Sequence, residues 1–298
     1  MKQLTTRPAL APCTLALAAA LIAACGGGSG SRSVIQNKGS DTLVNVAQAW
    51  AEEYAALRPG TAVAVTGGGS GTGIAAMING TVDIANSSRK MKDSELELAR
   101  GNGNEPIEFV VGYDALAVYV HPDNPIDEVS LEQLAALYGE GGDVDTWSQY
   151  GVEVPGCGSD EIVRVSRQNN SGTYVYFREA VLGERRDFRL GSRDMHGSKD
   201  VVDLVENTPC AIGYSGFAYA TDHVKMPCVR KGEDGDCVSP SVDSAIDGSY
   251  PIARPLFMYT AGQPEGAIRE YIDWVLSEEG QCIIYEKGYA PRGDVDCS

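Results

Sequence analysis

The chain is 298 residues long, enough for one large domain or two lobes, and carries a formal net charge of −17 from 24 basic and 41 acidic residues. That balance excludes nucleic acid as a partner, because phosphodiester binding needs clustered Lys and Arg. Three His without ligand spacing and eight Cys without a C-x-x-C give no metal site and call for no cofactor.

Lys2 and Arg7 precede an apolar run over residues 9–24 that ends I-A-A-C at Cys25. A basic start, an apolar segment of this length and small residues at its end predict a secretory signal over 1–24 rather than a spanning helix. The Cys at the break resembles a bacterial lipobox, which implies that Cys25 is lipidated. The glycine- and serine-rich stretch 25–33 reads as a flexible tether. The rest of the chain is then expected outside the cytoplasm, held at a membrane surface by this one anchor. Cys13 leaves with the signal, so Cys157, Cys210, Cys228, Cys237, Cys282 and Cys297 remain for disulfides. Proximity favours Cys228–Cys237 and Cys282–Cys297, which leaves Cys157 for Cys210.

A short strand over 34–36 leads into G-S-D-T-L and a helix over 42–57, with Leu43, Val46, Ala47, Trp50 and Tyr54 on one face. Arg58-Pro59-Gly60 stops it. A strand over 61–65 runs into G-G-G-S-G-T-G, and a short helix follows over 74–78. The strand 82–85 gives way to N-S-S-R, with a helix over 95–100 capped by Ser94 and Glu97. Two strands, 108–111 and 114–120, come next; the second is almost wholly apolar, as in a sheet covered on both faces. Ser130 caps a helix to residue 138, and Trp147 lies in a polar loop. The strand 162–165 runs into R-Q-N-N-S-G-T at 167–173 and a helix. A capped helix over 198–206, a strand over 211–214, a Cys-pinned surface loop over 231–249, a strand over 252–260 and a helix over 264–277 complete the chain. Strands alternating with helices argue for α/β architecture with largely parallel sheets.

Four turns repeat one design. Residues 39–43, 67–73, 86–89 and 167–173 each follow a strand, open towards a helix and offer hydroxyls near its start. Such helix starts present unpaired N–H groups and partial positive charge, which suits an anion. Arg89 and Arg167 add fork-shaped cations. In open α/β sheets, ligands bind beyond the carboxyl ends of the strands, where these turns lie. Three turns come from the first half and one from the second, so a ligand touching all four sits between two lobes. Convergent N–H and O–H donors suit a small tetrahedral oxyanion. The glycine-rich turn lacks the Lys-Ser/Thr of a P-loop and does not fit G-x-G-x-x-G. Neither Ser70 nor Ser215 completes G-x-S-x-G, and no His lies near a candidate Ser. The chain reads as a binding protein, not an enzyme.

G-S-D-T-L, G-G-G-S-G-T-G-I, V-D-I-A-N-S-S-R, D-A-L-A-V-Y-V, S-G-T after an upstream Arg and T-P-C-A-I-G-Y-S-G-F occur in the order seen in the phosphate-binding proteins of phosphate ABC transporters. The resemblance covers nearly all of residues 34–291. It implies a two-lobe type II periplasmic-binding-protein fold, each lobe a mostly parallel sheet flanked by helices. Lobe 1 would take 34–113 plus 255–298 and lobe 2 would take 114–254, with crossings near 112–118 and 252–258. It implies inorganic phosphate as ligand and an ABC permease as partner. Carried over by motif, phosphate contacts fall on Ser40, Thr42, Ser70, Gly71, Ser88, Arg89, Arg167, Ser171, Gly172 and Thr173. One branch of the family has an Asp, which accepts the proton of monohydrogen phosphate, where this chain has Ser88. The same branch has an acidic residue where this chain has Asn169. Asp41 is therefore the expected acceptor, the alternative being a helix cap. Without an acceptor, sulfate, molybdate or tungstate would suit the same donors; a phosphate sensor without a transporter is the other alternative.

Overall fold

The computed structural model describes residues 33–232 and 234–297; the signal segment 1–24, Cys25 and the tether up to residue 32 lie outside them. In chain order the described elements are β1 Ser33–Gly39, α1 Val44–Leu57, β2 Thr61–Thr66, α2 Ser70–Ile78, β3 Ile84–Ser87, α3 Asp93–Gly101 and β4 Ile107–Val120. They continue with β5 Glu128–Ser130, α4 Leu131–Tyr138, β6 Val163–Arg167, α5 Gly172–Phe177, β7 Arg193–Met195, α6 Ser198–Glu206 and β8 Ala211–Gly216. Last come β9 Cys228–Arg230, β10 Cys237–Val238, α7 Val242–Ile246, β11 Ala253–Thr260, α8 Gly266–Val275 and α9 Glu278–Glu286. Ser33, read as the end of the tether, opens β1.

One sheet runs β2-β1-β3-β11-β4-β8-β6-β7 and a small one runs β10-β9-β5. At one end β1 is parallel to β2 and β3; at the other, β6 is parallel to β7 and β8. Between these parallel groups lie β11 and β4, antiparallel to each other and to their outer neighbours. The two strands expected over 108–111 and 114–120 are thus one, β4. Its first part pairs with β11 up to Ala115, and its second part, Leu116–Val120, pairs with β8. A 14-residue strand uninterrupted by a turn carries the chain from one parallel group to the other.

The core follows the same partition. Leu43, Val46, Trp50 and Tyr54 of the first helical stretch pack with Leu256, Tyr271, Val275 and Tyr289. Trp147, Leu134, Tyr138, Phe177, Tyr214 and Tyr250 form a separate cluster in the second half. There the Phe177 and Tyr214 rings stack at 3.8 Å. Two buried aromatic polar ends are paired: Trp50 Nε1 donates to Gly280 O and Tyr138 Oη to the Val165 and Ile212 carbonyls. All three expected disulfides are present, Cys157–Cys210, Cys228–Cys237 and Cys282–Cys297.

Several boundaries differ from the sequence reading. The first helix begins as a 3-10 turn, Asp41–Leu43. α2 starts at Ser70 inside the glycine-rich turn, four residues before Ile74. Gly73 lies in it because a Cβ there would collide with Lys38 O of β1, so close packing outweighs poor helix propensity. α3 begins at Asp93, where the Glu95 carboxylate takes the Lys92 N–H, in place of the expected Ser94–Glu97 box. The loop 231–249 contains β10 and α7, and α9 is an additional helix.

Candidate functional site

The four turns converge. Ser40, Thr42, Ser70, Ser88, Ser171 and Thr173 are all buried. Ser40 Oγ donates to Ser88 Oγ at 3.0 Å, Ser70 and Ser88 Oγ are 3.3 Å apart, and the Ser88 N–H donates to Ser70 Oγ at 3.0 Å. From the opposite side, Thr173 Oγ1 lies 3.0 Å from Thr42 Oγ1. Ser171 caps α5, its Oγ accepting the Thr173 N–H at 3.1 Å. Between them stands Gly172, where a Cβ would collide with the Ser70 and Ser88 hydroxyls. Only a glycine lets the second half come this close to the first.

The cations are held differently from one another. Arg167 is almost wholly buried; Nη1 donates to Ser198 Oγ at 2.9 Å and Nη2 to His196 O at 2.8 Å. Nη2 also reaches Asp41 Oδ2 at 3.4 Å, across the junction of the two halves. Burial pulls the Arg167 pKa down, and the Asp41 charge opposes that. Arg89 turns its guanidinium to α3: Nη1 and Nη2 bind the Glu95 carboxylate at 2.8 and 2.7 Å, and Nη1 also donates to Lys90 O. Burial alone would raise the Glu95 pKa, but the Arg89 hydrogen bonds and charge, with the Lys92 N–H, hold it below the ordinary glutamate range.

Asp41 does not cap a helix, since neither the 3-10 turn nor α1 has a side-chain cap. Its Oδ1 accepts the Gly68 N–H at 2.9 Å and its Oδ2 faces Arg167, so it ties three turns together. Its backbone carbonyl accepts from Tyr219 Oη at 2.6 Å.

Asn170 joins the halves at the edge of the site. Its Nδ2 donates to Gly68 O at 3.0 Å, and its carbonyl accepts the Gly71 N–H at 3.0 Å. Gly69 has φ +90°, and a Cβ there would lie 2.7 Å from Asn170 O. Gly69 and Gly71 of this turn therefore face the opposite half of the protein.

Sequence reasoning missed a third guanidinium. Arg254, on β11, is buried with Asp114 of β4, its Nη2 2.7 Å and its Nε 3.1 Å from Asp114 Oδ2. Burial lifts the Asp114 carboxyl above its ordinary value against the pull of Arg254. Nη2 also donates to Thr173 Oγ1 at 3.1 Å and Thr42 Oγ1 at 3.3 Å, and Nη1 to Ser88 O at 3.2 Å. A lone charge at the head of each apolar strand, D-A-L-A-V-Y-V and R-P-L-F-M, was the available signal.

Residues 26–279 match the family described as the PBP superfamily domain. The phosphate-binding protein PstS of Pseudomonas aeruginosa is 35% identical over 275 residues, 88% of this chain and 84% of that protein. SphX of Synechococcus elongatus is 32% identical over 88% of this chain and 79% of its own length. A putative phosphate ABC transporter substrate-binding protein of Clostridium perfringens, solved with bound phosphate, superposes with a TM-score of 0.76 at 28% identity, covering 88% of this chain and all of that one. An ABC-type phosphate transport receptor of Vibrio cholerae gives 0.68 at 27%, covering 86% and 99%.

Proposed function

The chain belongs to the PBP superfamily and, within it, to the phosphate-binding proteins of phosphate ABC transporters, and from that premise we propose that it binds one inorganic phosphate among the four turns and delivers it to a membrane permease. The observation that carries this reading is the convergence of buried Ser and Thr hydroxyls from both halves on Gly172, where no side chain fits. Such a site offers many donors. Its three arginines are each matched by a carboxylate, Arg89 by Glu95, Arg167 by Asp41 and Arg254 by Asp114. A dianion is then held chiefly by oriented hydroxyl and N–H groups, which explains how a chain of net charge −17 takes an anion.

In this reading residues 34–113 plus 255–298 form one lobe and 114–254 the other. Ser40, Thr42, Ser70, Gly71, Ser88, Ser171, Gly172 and Thr173 touch the ligand, Arg167 supplies charge, and Asp41 accepts the phosphate proton. Arg89 belongs to the wall, through Glu95. The protein acts as a carrier rather than an enzyme, outside the cytoplasm and tethered through Cys25 by lipid. Calorimetric titration with phosphate, sulfate, arsenate and molybdate tests the reading. One phosphate per chain, bound more tightly than sulfate, is expected; heat with molybdate or sulfate alone would replace phosphate by another tetrahedral oxyanion.

A further inference from the structure

We infer that Arg254 is a positioning residue of the anion site, orienting the Thr42–Thr173 hydroxyl pair so that it turns a donor towards the ligand. The inference rests on the anion reading above. Arg254 Nη2 has two hydrogens and three acceptors: Asp114 Oδ2 at 2.7 Å, Thr173 Oγ1 at 3.1 Å and Thr42 Oγ1 at 3.3 Å. Asp114 takes one hydrogen and the two threonines share the other. A guanidinium donates and never accepts, so neither hydroxyl can turn its own hydrogen back towards β11. The two oxygens are 3.0 Å apart, and one hydroxyl can donate to the other. The second hydroxyl hydrogen then has no acceptor among the described residues and is left for the site itself. Hydroxyls are otherwise indifferent to direction, and an anion needs donors only.

Asp114 makes this arrangement tolerable. Both side chains are wholly buried, and an isolated guanidinium there would be strongly destabilising. The pair cancels in charge, so the contribution of Arg254 is directional rather than a matter of net attraction. Its reach is wide for one side chain: Thr42 in the first turn, the Ser88 carbonyl in the third and Thr173 in the fourth. Thr42 and Thr173 come from opposite halves, so the shared hydrogen bond forms only when both are in place.

The test is a coupling measurement with inorganic phosphate. Arg254→Gln with Asp114→Asn keeps a neutral hydrogen-bonded pair but removes the obligate donor, since an amide also accepts. In the otherwise unchanged protein, Thr42→Val is expected to weaken phosphate binding about tenfold; in the neutral-pair background it should weaken it less than about threefold. A merely structural Arg254 would lower the melting temperature but leave the Thr42→Val penalty equal in both backgrounds, and that result overturns the inference. Should the double variant not fold, Arg254→Lys, which also only donates, is expected to bind within about threefold of the original protein. A folded Lys variant weakened by more than about threefold overturns it. If the protein takes sulfate, arsenate or molybdate instead of phosphate, the phosphate reading fails alone and the same cycle is run with that anion. Binding of none of them sinks both.

Discussion

Replacing Asp41 by Asn tests where phosphate specificity resides. The substitution keeps the shape and the acceptor for the Gly68 N–H, now 2.9 Å from Oδ1, but removes the charge opposite Arg167. Two effects follow, and they separate cleanly. Arg167 loses a counter-charge, which favours any dianion and therefore cancels in a ratio of affinities. The proton-accepting carboxylate also disappears, which affects phosphate and sulfate in opposite directions. A hydrogen bond to a charged group contributes about 1.5–3 kcal/mol, so selectivity should fall by a factor of about 10 to about 150. The stability cost stays below the roughly 3–5 kcal/mol of a fully broken buried pair. The 3.4 Å contact is long, and Arg167 retains Ser198 Oγ and His196 O. Calorimetric titration of both anions at one pH gives the ratio directly. A phosphate-to-sulfate ratio equal to that of the unmodified protein would refute Asp41 as the acceptor.

Arg167→Ala should weaken phosphate binding by about tenfold or more with the fold retained, measured by calorimetry beside circular dichroism; an unchanged affinity would remove Arg167 from the site. Gly172→Ala should abolish binding and lower the melting temperature, because the added methyl meets the buried Ser70 and Ser88 hydroxyls; phosphate binding at the original affinity would contradict the convergence of the four turns. Glu95 has a folded pKa held below its unfolded value, so its stabilising effect is full above the unfolded pKa and fades as pH falls through the folded one. Urea unfolding at neutral and acid pH should therefore show Glu95→Gln less stable than the unmodified protein at neutrality, with the two converging in acid; a constant gap would deny the linkage.

The parts of the site legible in the sequence were those written locally. Ser40-Asp41-Thr42, the glycine-rich run and Ser171-Gly172-Thr173 show their hydroxyls and their lack of side chains within a few residues. The Arg254–Asp114 pair was not legible in that way, because 140 residues separate its members and only pairing of β11 with β4 brings them together. The destination of Arg89 is hidden for a related reason: Glu95, six residues on, fits the helical pattern there, and nothing local marks it as a counter-ion. The start of α2 was misplaced because propensity counts Gly71 and Gly73 against a helix, whereas packing on β1 selects a glycine at 73. α9 hid behind Gly280 and Cys282, although Ser277 and two glutamates mark its beginning.

The contact of Asn170 with the glycine-rich turn has a consequence for tuning. Its hydrogen bonds to Gly68 O and Thr72 Oγ1 and from the Gly71 N–H belong to the protein alone and, on the reading proposed above, favour the shut arrangement, the two halves in contact, whichever anion lies inside. Apparent affinity is the intrinsic affinity scaled by the fraction of molecules able to shut. A change at Asn170 or Gly69 thus multiplies every anion's dissociation constant by the same factor. On the reading proposed above, strength of capture falls to Asn170 and choice of ligand to Asp41, so a lineage facing scarcer or richer supplies can move the first without disturbing the second.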